Sequence, residues 1–128
     1  MTADHPLAEA TRKSGLVWVR PAEGGREQPV WHVWHDDAAW VVTGGLEQPF
    51  PDAEQVEVVV RSRARQGDRL GQWSATVEVV APGAPGYDDA VRVLHAERLN
   101  APDGEEQPAR WARGSRVLRL RPASAAGA

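Results

Sequence analysis

Pro29-Val30-Trp31-His32-Val33-Trp34-His35 is joined through Asp36-Asp37 to Ala39-Trp40-Val41-Val42-Thr43. Two more β-rich runs follow, Val56-Glu57-Val58-Val59-Val60-Arg61 and Trp73-Ser74-Ala75-Thr76-Val77-Glu78-Val79-Val80. Side chains alternate across a strand, so Val56, Val58 and Val60 share one face while Glu57, Val59 and Arg61 share the other. In the last run Trp73, Ala75, Val77 and Val79 oppose Ser74, Thr76, Glu78 and Val80. One apolar and one mixed face is the pattern of an antiparallel sheet curling around its own core. The Asp36-Asp37 pair reads as a hairpin turn, because aspartate tolerates the positive φ such loops need.

Working outward, Leu16-Val17-Trp18-Val19 reads as a first strand stopped by Pro21, with Glu23-Gly24-Gly25-Arg26 turning into the central stretch. Pro49 and Pro51 deny their segment a long helix or a central strand, leaving a surface loop with a short helical turn at Asp52-Ala53-Glu54. Ala81-Pro82-Gly83-Ala84-Pro85-Gly86 ends the sheet. A helix is expected over Tyr87–Leu99, with Asp88 and Asp89 in its first turn and Tyr87, Val91 and Leu94 on one stripe. Asn100, Pro102 and Gly104 close it. Residues 101–115 read as a polar loop around Trp111, and Val117–Arg121 as a last strand. Residues 1–14 are expected to be a flexible tail or a frayed first turn, 15–122 one domain and 123–128 a disordered tail. The expected fold class is mainly β with minor α: a small antiparallel split β-barrel of about six strands with one main helix near the C-terminus.

At 128 residues, 41% hydrophobic and 26% charged, the chain has the composition of one soluble domain. No apolar run approaches the roughly 20 residues that cross a bilayer, and no signal pattern stands at the start. A cytoplasmic protein without a membrane partner is expected. The absence of cysteine excludes disulfides and thiolate chemistry. A net charge of −3 opposes nucleic-acid binding, so the arginines of 61–69 and 110–121 read as solvated. Lys13, the single lysine, is poorly placed for a Schiff base. Six tryptophans are many for this length. Packing in core and interface is the favoured reading, and a flat wall for an aromatic ligand the competing one.

Few residues announce chemistry. His32 and His35, three apart in a strand, point to opposite faces and cannot converge on one metal ion without a bulge. The serines lack a nucleophile-elbow setting, and Glu57 and Glu78 read as solvated acids. Thr43-Gly44-Gly45 is more suggestive: a strand ending in a hydroxyl and two glycines bares backbone N–H groups for a phosphate. Arg61, Ser62 and Arg63 could complement it, since guanidinium matches phosphate geometry. As neighbours in an antiparallel pair, however, those two strands would end at opposite ends, and the two patches would meet only across a dimer interface or a crossover.

In its order of elements the chain resembles the pyridoxamine 5′-phosphate oxidase-like, FMN-binding split-barrel superfamily, especially its short actinobacterial-type members. The resemblance spans Gly15 to Pro122. It is carried by Gly15-Leu16-Val17-Trp18-Val19, Trp31-His32-Val33-Trp34, Trp40-Val41-Val42-Thr43-Gly44, Val58-Val59-Val60-Arg61-Ser62 and Arg98-Leu99-Asn100-Ala101-Pro102-Asp103-Gly104. It implies a homodimer with FMN, or a deazaflavin, at the interface, and redox chemistry on a small molecule. Trp31, His32 and Trp34 would border the ring, Thr43, Gly44 and Gly45 would hold the phosphate, and Arg61, Ser62 and Arg63 would neutralise it. His32 stands where flavin-binding members often carry arginine. Those members follow the threonine with a serine or arginine and a lysine, where this chain has Gly44-Gly45-Leu46-Glu47-Gln48. The substrate motif of the true oxidase has no counterpart, which argues against pyridoxamine phosphate oxidation. The departures leave a second expectation: a barrel without cofactor that acts as a binding or structural dimer.

Overall fold

In a computed structural model the protein is described over residues 8–45, 47–61, 69–97 and 104–123. Seven strands form one antiparallel sheet: β1 (Leu16–Pro21), β2 (Gln28–Trp31), β3 (Val33–His35), β4 (Ala38–Thr43), β5 (Gln55–Arg61), β6 (Arg69–Val80) and β7 (Arg116–Pro122). Three α-helices accompany them: α1 (Ala8–Lys13), α2 (Tyr87–Glu97) and α3 (Gln107–Gly114). The spatial order is β2-β1-β5-β6-β7-β4-β3, so the two edge strands are consecutive in the chain and only His32 separates them. The chain therefore crosses the seam itself, and the sheet becomes a small split barrel. The run expected as one strand over 29–35 is two strands bent at His32. The bend follows from partners. Trp31 stays paired with Leu16 of β1 while its backbone N–H and carbonyl bond the Gln48 side chain, and the His32 N–H reaches the Gly15 carbonyl at 3.4 Å.

Alternation survives the bend and sorts the side chains into two cores. Val17, Val19, Val30, Ala39, Val41, Val56, Val58, Val60, Trp73, Ala75, Leu118 and Leu120 fill the barrel, with Trp34 packed against them. Val33, Ala38, Trp40, Val42, Val80 and Val117 face outward beneath Tyr87, Ala90, Val91 and Leu94 of α2 and Trp111 of α3. Every residue of β4 is buried, because barrel and helices cover opposite faces of it. Trp40 sits fully buried in that outer layer and donates its indole N–H to the His35 carbonyl at 2.8 Å. The β3–β4 hairpin has Asp36 at φ 53° and Asp37 at φ 58°, the left-handed pair a two-residue turn of this hand requires.

Two segments differ from the sequence expectation. Residues 8–13, expected within a flexible tail, are helical and plug one end of the barrel. Fully buried Thr11 accepts the Trp73 indole N–H on its hydroxyl at 3.1 Å, and its carbonyl is 2.9 Å from His32 Nε2. Trp34 meets Trp73 edge-on at 5.9 Å on the same plug. Residues 104–114, expected as loop, form a 3₁₀ turn (Gly104–Glu106) leading into α3. Pro108 is tolerated in its first turn, and Gln107 and Trp111, four apart, bury one face. The expected turn at 52–54 is not helical, α2 is described to Glu97, and residues 124–128 lie outside the described residues. No described helix is long and apolar enough to cross a membrane.

A carbonyl oxygen can only accept, so His32 Nε2 carries the proton that Thr11 receives, and Nδ1 is left buried without a partner. Burial holds the His32 pKa below its ordinary value of 6.5, and the hydrogen bond to Thr11 offsets this only in part. Neutral His32 is thus the folded form. Its contribution to stability is complete above the unfolded value and is lost as pH falls from there towards the lower folded value. Denaturant unfolding at pH 7.5 and at pH 5.5 should show the wild type losing stability on acidification. His32→Gln, which keeps a donor near Nε2 but cannot titrate, should lose measurably less.

Candidate functional site

The candidate site is the corner where β4 ends. β4 delivers Thr43 there, and Gly44 and Gly45 follow with φ of 87° and 64°. Both are left-handed, which a side chain would strain. A Cβ on Gly45 would also lie 2.7 Å from the Gly114 carbonyl, so this turn packs directly on the end of α3. The Ser115 hydroxyl donates to the Gly44 carbonyl at 3.0 Å, and the Glu47 N–H returns to the same carbonyl at 3.0 Å.

The polar groups of this corner are spent on one another. Thr43 is 2% exposed, and its hydroxyl donates to the Gln48 carbonyl at 2.6 Å. The Gln48 amide brackets Trp31, accepting its N–H at 2.8 Å and donating to its carbonyl at 2.9 Å, with a further bond to the Val42 carbonyl at 3.3 Å. This side chain takes up both backbone polar groups of Trp31, which is paired with Leu16 of β1. Glu47 is no solvated acid. Its side chain is 2% exposed, and one carboxylate oxygen takes the Trp111 indole N–H at 3.0 Å and the Arg110 guanidinium at 3.0 Å. A buried carboxylate thus occupies the place where the resemblance puts phosphate.

The fold gathers only some of the residues expected to bind cofactor. Trp31, Thr43, Gly44 and Gly45 meet at this corner through Gln48. His32 and Trp34 turn into the barrel and serve the plug against Thr11 and Trp73. Arg61 stands at the other end of the barrel, since β4 and β5 run in opposite directions with β6 and β7 between them. There it pairs with Glu27 at 2.8 Å and lies over the Trp18 ring at 5.6 Å. Ser62 and Arg63 lie outside the described residues. The sequence marks Glu47 only as an acid near the expected phosphate site; its burial against Arg110 and Trp111 and the bracketing of Trp31 by Gln48 escape it, because a contact between positions 47 and 111 leaves no local pattern.

The mouth of the barrel, opposite the α1 plug, is open. Val77 and Val79 pair with Leu120 and Leu118, so all four face the barrel interior. The loop around Phe50, with Phe50 and Ala53 packed against the barrel core, lines with them a cavity of about 820 Å³. Val79 is 59% exposed there.

Fold comparisons agree with this architecture. HutZ, the heme storage protein from Vibrio cholerae, superposes with a TM-score of 0.61 at 11% identity over 97% of this chain and 92% of its own. ChuZ from Campylobacter jejuni gives a TM-score of 0.57 at 10% identity over 94% of this chain, which spans about half (52%) of ChuZ. A Corynebacterium glutamicum structure provisionally described as a pyridoxamine 5′-phosphate oxidase gives 0.48 at 15% identity over 94% of this chain and 84% of its own. No family model matches the sequence, and no curated protein matches it significantly. The chain has a split-barrel fold shared with HutZ and ChuZ.

Removing the Glu47 carboxylate would orphan the Trp111 N–H and take from Arg110 its buried ion-pair partner. Glu47→Ala is expected to cost about 2–4 kcal/mol, near the lower values for broken buried pairs because Arg110 keeps some solvent. Urea unfolding followed by tryptophan fluorescence measures it.

Proposed function

We propose that the protein is a cofactor-free split-barrel homodimer that works as a binding protein. The observation that carries this reading is the self-satisfied corner after β4. A phosphate placed there would have to displace the Thr43–Gln48 bond and sit beside the Glu47 carboxylate. Like charge in a buried site opposes it. Arg61, one of the two arginines expected to neutralise it, is engaged with Glu27 at the far end of the barrel. The flavin reading keeps one local support, the exposed left-handed Gly44-Gly45 pair, and would make the chain an oxidoreductase. Heme storage is the described role of HutZ, and it transfers poorly. The mouth cavity is lined by Glu23, Asp52 and Glu54 against Arg116, which suits neither heme's two carboxylates nor its iron.

Titration of the purified protein with FMN and with a deazaflavin cofactor, followed by flavin fluorescence, should show no saturable binding below about 100 μM, a level at which a specific cofactor site would be filled. Micromolar binding, or a flavin absorbance band in the purified protein, overturns the reading in favour of flavin chemistry.

The dimer is supported by an apolar strip on the outside of the barrel. Leu16, 45% exposed, stands opposite Trp31, and Trp18 opposite Pro29. Such strips mark association surfaces. Sedimentation velocity at micromolar concentration should show a dimer that Leu16→Glu converts to monomer. A wild-type monomer would remove the dimer from the proposal.

A further inference from the structure

We propose, on the reading of the chain as a binding protein, that the mouth of the barrel is the binding site and that its ligand is a hydrophobic organic amine. The cavity of about 820 Å³ falls within the range of small-molecule sites, roughly 300–1,000 Å³. Its floor is apolar: Val77, Val79 and Leu118 project from β6 and β7, and Phe50 flanks them. Val79 faces the barrel interior and yet is 59% exposed, so a large apolar side chain is held towards water in a concave place. That arrangement offers contact area to an apolar ligand body.

The rim supplies the sign of the charge. Glu23 comes from the turn after β1, and Asp52 and Glu54 from the loop before β5. Among the described residues, none of these carboxylates is committed to an ion pair or a side-chain hydrogen bond. The positions of two of them are fixed by backbone bonds. Glu54 O accepts the Val77 N–H at 2.8 Å, and Ala53 N–H bonds Pro51 O at 3.1 Å beside Asp52. Among the described residues Arg116, at the start of β7, is the single cation lining the cavity. An ammonium group therefore meets three carboxylates on the loop side while its apolar body lies on the valines. A carboxylate of the same shape would be repelled there. Complementary charge of this kind selects a ligand more than it tightens binding.

The test uses a matched series on the intact protein: 4-phenylbutylamine, 4-phenylbutanol and 4-phenylbutyrate, followed by ¹H–¹⁵N NMR. The amine should shift amides of residues 50–55 and 77–79. It should bind about fivefold or more tightly than the butyrate, the size expected of a partly exposed charge pair. The preference should shrink at about 0.5 M salt, where screening is short-ranged. Asp52→Asn with Glu54→Gln, both exposed side chains, should remove the preference while leaving binding of the alcohol. Val79→Ser should weaken all three ligands. Equal or tighter binding of the butyrate, shifts confined to other regions, or no shift at millimolar amine would each overturn the site. So would a Val79→Ser variant that turns a dimer into monomer while the amine leaves the mouth amides unmoved, because a second copy would then cover the mouth. FMN binding with intact amine binding would sink the cofactor-free reading alone, so the two failures are distinguishable.

Discussion

An antiparallel sheet of this size must do something with its two edges, and here a single residue does it. Because β2 and β3 are both edge strands and neighbours in the chain, the bend at His32 carries the backbone from one edge to the other. Unpaired edge groups are otherwise templates for aggregation. The bend works only if the groups it frees find partners. Gln48 supplies them to the Trp31 backbone, Gly15 to the His32 N–H, and Thr11 to the His32 ring. The loop after β4 and helix α1 are in this sense parts of the barrel closure, although neither belongs to the sheet.

The two ends of the barrel are then treated differently. One is stoppered by α1, where Thr11, His32 and Trp73 exchange hydrogen bonds in a dry setting and Trp34 packs edge-on. Such a network is costly to break, because every polar group in it would be stranded without water. The other end keeps interior-facing valines in contact with solvent beneath a loop held by backbone bonds. Rigidity gathers at the plug and along the doubly covered β4, and concave accessible surface gathers at the mouth. That division of labour is what a binding barrel needs, since a site is only as well defined as the elements that carry it.

Much of the sheet was readable from local pattern. The alternation of Val56, Val58 and Val60 against Glu57, Val59 and Arg61 places β5, and the Asp36-Asp37 pair fixes the β3–β4 hairpin. Tyr87, Val91 and Leu94 mark the buried stripe of α2. Pattern failed where partners are remote. Residues 8–13 carry little periodicity, and what holds α1 in place is Thr11 meeting a tryptophan sixty-two positions away. In α3 the signal was present but thin: Pro108 near the start, Gly114 at the end, and Gln107 and Trp111 on one face. The candidate site suffered most. Thr43-Gly44-Gly45 looks the same in sequence whether its hydroxyl faces a phosphate or the Gln48 carbonyl.

By itself the sequence determined the strands, the barrel class and the residue types that line it, because period-two hydrophobicity and turn chemistry act between near neighbours. Only the tertiary structure decided which charges are buried and which are available. Glu47, between two glycines and a proline, reads as a surface acid and is in fact sealed against Arg110 and Trp111. Glu23, Asp52 and Glu54 read the same way and, among the described residues, stand without an ion-pair partner around a cavity. Desolvation depends on what the rest of the chain packs over a group, and no local stretch of residues carries that information.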